Sequence, residues 1–269
     1  MTVRTRQDHA RLATAIPGRT GRPGTSARLV AAICAAEVVL VFVHIGLGVL
    51  LHAIVLGAIL YLQARRSRPV DRGTLVPLAL VPLLRILSLT MPLPGLAPMF
   101  WTGLVGVPLA VGAVLAARTV GLGRVELGLR PTPWLPQVAI AALGLPAGFL
   151  AWLTGGPNGL VQEGATPLEI FVAALLLVLF VAFLEEFVFR GVIQAGLSRA
   201  FGHGAIALST TMYGSMYLGS LSFEYAALMT AVGLLHGVLA DRTGSIAGVV
   251  ASHAILVLGA FFVWPTLLA

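Results

Sequence analysis

Residues 168–190 read LEIFVAALLLVLFVAFLEEFVFR, an apolar run long enough to cross a bilayer, interrupted by Glu185 and Glu186 and closed by Arg190. A helical crossing needs about 20 predominantly apolar residues. An acid near the centre of such a span is penalised by about 3 kcal/mol, less towards its ends, so carboxylates kept there face a polar interior and usually carry function. The pair is therefore the first candidate for chemistry, against the plainer reading of carboxylates that mark a helix end at the membrane surface.

Composition agrees with a membrane chain. Of 269 residues, 58% are hydrophobic and 10% charged, with a mean hydropathy of +0.97, beyond the range of soluble domains. Net charge is +7 and all seventeen basic residues are arginine. Most of them lie between apolar segments, as in cytoplasmic loops beside anionic lipid, which argues against a nucleic-acid partner. The lone Cys34 sits within an apolar segment, so neither an intrachain disulfide nor a thiolate-built zinc site is expected.

Residues 1–28 carry Arg4, Arg6, Arg11, Arg19, Arg22 and Arg28 among Thr, Gly and Pro, and read as a disordered cytoplasmic tail rather than a signal peptide. From Leu29 to Leu62 the chain holds enough apolar residues for two short spans turning near His44 to Gly46. Further apolar segments follow at about 75–91, 98–117, 136–153, 168–189, 205–219, 225–240 and 246–263. The reading is an all-α polytopic bundle of eight or nine spans, with N-terminal membrane helices over 29–164 and a second group over 165–263.

Loop charge supports that alternation. Arg65, Arg66, Arg68 and Arg72, then Arg118, Arg124 and Arg130, then Arg199, then Arg242 fall in every second connection, on the side of the tail. The opposite connections, 92–98, 154–167 and 219–224, hold only Glu163 and Glu224 as charges. Arg85 breaks the pattern from inside its span, with Glu37 at a comparable depth. An ion pair is the plain reading; Arg85 lining a polar cavity is the other. Trp101, Trp134, Trp152 and Trp264 fall near span ends, as an interfacial belt would have them.

Helix geometry separates the two acids. Successive side chains stand about 100° apart, so Glu186 and Arg190 share a face and Glu185 points along another. Glu186 four residues before Arg190 is the favourable order for an intrahelical pair, which leaves Glu185 available as a base.

These residues resemble the CPBP intramembrane proteases, also called the Abi or CAAX-processing protease family, over roughly residues 165–260. That family carries E-E-x-x-x-R on one membrane helix, F-x-x-x-H on the next and H-x-x-x-N on the last. Here the first motif is Glu185, Glu186 and Arg190, while the last helix enters through Asp241 to Ser245, with Ser245 able to cap it, and presents His253. Two positions depart: Tyr213 and Tyr217 stand in the second motif, and Val257 stands where the family has asparagine.

The resemblance implies an intramembrane endopeptidase cutting a membrane-associated peptide or protein near the cytosolic leaflet. Glu185 is then the base, Glu186 and Arg190 its supports, and Tyr217 and His253 the groups that polarise the carbonyl oxygen. A phenol can donate to an oxyanion; valine cannot. No cofactor is expected; a divalent metal is left open by the resemblance, but zinc takes three protein ligands and a likely one is missing here. The two replacements motivate an alternative, a non-catalytic member that binds a membrane peptide or partner. A transporter is a third class, though the inverted repeats it would carry are not evident.

The other histidines have plainer readings. His236 lies between Gly233 and Gly237, where helix packing competes with a role as the imidazole that Tyr217 replaces. His44 reads as a turn residue, His52 as packing and His203 as part of a cytosolic connection. Arginine-only, alanine-rich usage points to a GC-rich bacterial genome and a cell-membrane location.

Overall fold

A computed structural model describes residues 23–65, 69–91, 98–155 and 165–268. Most of the tail, Arg66 and Arg68, and most of the connections 92–98 and 154–167 with Glu163 lie outside the described residues. The helices are α1 (Pro23–Phe42), α2 (Ile45–Arg65), α3 (Pro69–Leu78 and Leu80–Thr90), α4 (Pro98–Thr119), α5 (Trp134–Ala142 and Gly144–Leu153), α6 (Pro167–Phe201), α7 (Gly204–Met216), α8 (Phe223–Thr243) and α9 (Ala247–Leu268). No strand occurs among the described residues. The protein is a polytopic helical bundle of the membrane.

Eight of these helices are long and apolar enough to cross a bilayer. The exception is α7, whose 13 residues rise only about 20 Å. A 3₁₀ turn over Tyr217–Ser220 extends it; among the described residues the expected eight or nine spans therefore come to eight long ones and this short helix. The first helix begins at Pro23, so residues 23–28, assigned to the tail from sequence, belong to α1. Proline suits that start because a first-turn N–H needs no helical partner.

The arginines at the helix ends also cap them. Arg199 donates to the Val120 and Gly121 carbonyls after α4, at 2.6 and 3.2 Å. Arg130 donates to the Thr243 and Gly244 carbonyls that close α8, at 3.3 and 3.1 Å. Carbonyls at a helix C-terminus lack intrahelical donors and carry partial negative charge, so a guanidinium satisfies both needs.

At the centre lies α6, in which every residue from Glu186 to Leu197 is buried. It packs on α4, α7, α8 and α9. Large exposed apolar side chains such as Leu60, Val107, Leu145 and Phe171 instead face outwards, as a lipid-facing surface requires.

Two glycines on α8 set the spacing between α6 and α8. The Gly233 carbonyl accepts from Arg190 Nη2 at 2.9 Å, and the Gly237 carbonyl accepts from Gln194 Nε2 at 3.0 Å. A Cβ on Gly233 would stand 2.7 Å from Tyr213 Cδ1 and 3.1 Å from Arg190 Nη2. Gly233→Ala is therefore expected to lower stability by about 1–3 kcal/mol through overpacking. Gly57→Ala, where a Cβ meets nothing within 4 Å, serves as the control. Thermal unfolding of the detergent-solubilised chain compares them, and equal losses at both sites would contradict the close approach.

Candidate active site

The two neighbouring acids have different surroundings, as the 100° rotation between them requires. Glu186 is fully buried. Its Oε1 lies 3.0 Å from Nδ1 of His236 on α8 and 3.0 Å from Nδ1 of His253 on α9. Its Oε2 stands 3.2 Å from Arg190 Nε on its own helix, one turn on. Three helices thus meet on one carboxylate.

Glu185 is only partly buried. Its Oε2 accepts the Tyr217 hydroxyl at 3.0 Å, and that hydroxyl is 3.1 Å from the Tyr213 hydroxyl. The Tyr213 ring lies under the Arg190 guanidinium, 4.4 Å from Cζ to the ring centroid, joining the two halves of the site. Tyr217 also meets the Tyr225 ring edge-on, with centroids 5.6 Å apart.

Local helix geometry frames the pair. Leu184–Glu186 is α-helical but sits between π-helical stretches over Leu177–Phe183 and Phe187–Gln194. Such turns change the rotation of side chains and occur often at functional sites. In the second stretch, the Phe189 carbonyl accepts the Ser209 hydroxyl of α7 at 2.9 Å.

A carboxylate only accepts, so a neutral imidazole that meets Glu186 through Nδ1 is in the Nδ1–H tautomer. Each carries its proton on Nδ1. For His236 the remaining Nε2 then accepts from Ser252 Oγ, 3.1 Å away. For His253, Nε2 is a buried lone pair with no hydrogen-bond partner. The sequence reading had His253 help polarise a carbonyl oxygen; in this tautomer its Nε2 is an acceptor.

The residues singled out from sequence therefore gather in two linked clusters: Glu185 with Tyr217, and Glu186 with Arg190 and His253. His236, for which packing was the preferred reading, belongs to the second, and Ser252 was not foreseen. The flanking glycines were the available signal for His236, since they let its helix come close to α6. Val257 is buried and contributes no polar group. Ser245 accepts the Ala247 N–H at 3.2 Å from two residues before the helix, while Ile246 holds the N-cap position. His44 accepts two N–H groups at the start of α2, and exposed His203 lies 3.3 Å from Asp241.

The metal left open from sequence does not suit this arrangement. Zinc ligands converge at about 2 Å on one point, whereas both imidazoles aim Nδ1 at a carboxylate oxygen at hydrogen-bond distance. Among the described residues no group of three His, Cys, Asp or Glu has the arrangement of a metal site.

Away from the acids, Glu37 and Arg85 form the expected ion pair, and His52 Nε2 stands 3.3 Å from Glu37 Oε1. Arg85 also lines a cavity of about 500 Å³ with Phe42, His44, Leu89 and Leu221. Both alternatives for Arg85 therefore hold. This cavity lies by the α1–α2 turn, towards the opposite end of the bundle from Arg65 and Arg199.

Comparison with known families agrees with the motifs. Residues 167–259 match the family described as type II CAAX prenyl endopeptidase Rce1-like, a match covering about a third of the chain. The matched segment holds Glu185, Glu186, Arg190, Tyr217 and His253. No curated protein and no solved structure gives a significant match.

The Glu186 cluster makes a stability prediction. Glu186→Gln leaves Arg190 a buried cation without its carboxylate, expected to cost about 3–5 kcal/mol. Adding Arg190→Met removes the stranded charge and should recover part of the loss. Thermal unfolding of both variants in detergent tests this; a single variant as stable as the parent would contradict the ion pair.

Proposed function

We propose that this chain is an intramembrane endopeptidase of CAAX type that hydrolyses a peptide bond in a membrane-associated peptide or protein, with Glu185 as the base. The observation that carries the reading is the partly exposed Glu185 beside the Tyr217 hydroxyl, next to a buried carboxylate that holds the imidazole of the last helix. The family match over 167–259 supplies the reaction class.

In this reaction Glu185 takes a proton from water and the hydroxide adds to the carbonyl carbon. The carbonyl oxygen becomes an oxyanion, and Tyr217, turning its hydroxyl from Glu185, donates to it. Collapse breaks the C–N bond, and the proton held by Glu185 passes to the departing nitrogen. A new carboxyl end and a free amine result. His253 Nε2, without a hydrogen-bond partner at rest, accepts a hydrogen bond from the O–H that the attacking oxygen keeps. This revises the role assigned from sequence, and Glu186 with Arg190 holds the ring in the required tautomer. The substrate would be a lipid-anchored or membrane-embedded peptide reaching the depth of Glu185. Cleavage near the cytosolic leaflet and a bacterial cell membrane with the N-terminus inside are parts of the same proposal, supported by the arginine distribution.

Purified protein in liposomes, supplied with quenched fluorescent peptides bearing prenyl or acyl anchors, gives the test. Glu185→Gln should lower cleavage at least about 10²-fold, the contribution typical of a general base, with an unchanged melting temperature. Tyr217→Phe should lower it about 10²-fold, as for loss of one oxyanion donor. Cleavage at the parental rate by Glu185→Gln would eliminate the mechanism.

A further inference from the structure

A link into this site comes from helices outside the matched segment. Glu37 on α1 is fully buried and receives Arg85 of α3 side-on, with Nε 2.6 and 2.8 Å from its two oxygens and Nη2 at 2.6 Å. The same Nη2 donates to the Met216 carbonyl at 2.7 Å. Met216 is the last residue of α7, and Tyr217 opens the 3₁₀ turn that follows. A helix ends in carbonyls without intrahelical donors. One such carbonyl is thus held from a different part of the fold, immediately before the residue whose hydroxyl reaches Glu185.

The pair has no obvious value as a stabiliser alone. Replacing a buried ion pair with apolar residues is often neutral or favourable. A pair kept solely for charge balance would also not need Arg85 to extend another donor to a backbone carbonyl 131 positions away.

We propose that Arg85, braced by Glu37, is a positioning residue for Tyr217. By fixing the Met216 carbonyl it sets where α7 gives way to the tighter turn. That determines the direction of the Tyr217 ring and keeps its hydroxyl on Glu185. The use of this contact in hydrolysis rests on the function proposed above; the contact itself does not.

The test reads the phenol directly. 3-Fluorotyrosine is placed at position 217 of the full chain in detergent, and its ¹⁹F resonance is recorded. Glu185→Gln should shift the signal, which calibrates the probe to the Tyr217 contact. Arg85→Met should shift or broaden it, and Arg85→Lys should restore it in part. Because Arg85→Met strands Glu37 and can unfold the chain, the deciding variant is Glu37→Gln with Arg85→Met, which removes both charges and recovers the melting temperature. Its resonance should stay displaced, since the Met216 carbonyl still lacks its donor. A folded double variant with the parental resonance overturns the proposal, as does a signal indifferent to Glu185→Gln. Both readouts are independent of cleavage, so failure of the enzymatic reading is seen separately in the liposome assay.

Discussion

One buried carboxylate organises the centre of this bundle. Glu186 draws an arginine from its own helix and an imidazole from each of the two helices that follow α7. In a hydrocarbon environment a lone carboxylate is costly, and an ion pair recovers that cost only when the remaining hydrogen-bonding positions are also met. The two imidazoles supply donors to Oε1, while Oε2 faces the Arg190 guanidinium. The requirement that makes Glu186 tolerable is also what brings α8 and α9 onto α6 beside Glu185.

The neighbouring acids thereby acquire unequal roles from helix rotation alone. Glu186 is enclosed, with two imidazoles on one oxygen and Arg190 beside the other, and Glu185 is left partly exposed beside a phenol. Tyr217 keeps a donor within reach of Glu185, and His236, on the next helix, supplies an imidazole to the other acid. Val257, four residues beyond His253, is buried among apolar side chains and brings no polar group to the site.

Much of this was legible from residue patterns. Hydropathy delimits the helices because a bilayer admits few alternatives to them, and 100° rotation separates Glu185 from Glu186 without any tertiary information. Three features were not legible. The tautomer of His253 depends on which ring nitrogen meets Glu186, a matter of helix orientation. The place of His236 depends on α8 approaching α6 through glycines, and two glycines around a histidine do not say which neighbour they admit. The start of α1 was missed because Gly, Thr and Ser after Pro23 weaken an apolar pattern while still permitting a helical turn.

The paired bonds from Arg190 and Gln194 to the Gly233 and Gly237 carbonyls have a geometric consequence. Donors four residues apart on one rod engage acceptors four residues apart on another, so the two rods interlock like a rack. A displacement of part of a turn would leave both donors facing no carbonyl in a medium without water, while a full-turn step would seat Arg190 where Gln194 had been. Sliding between α6 and α8 is therefore favoured only in steps of about 6 Å, the rise of four residues, and continuous shear along this interface is opposed.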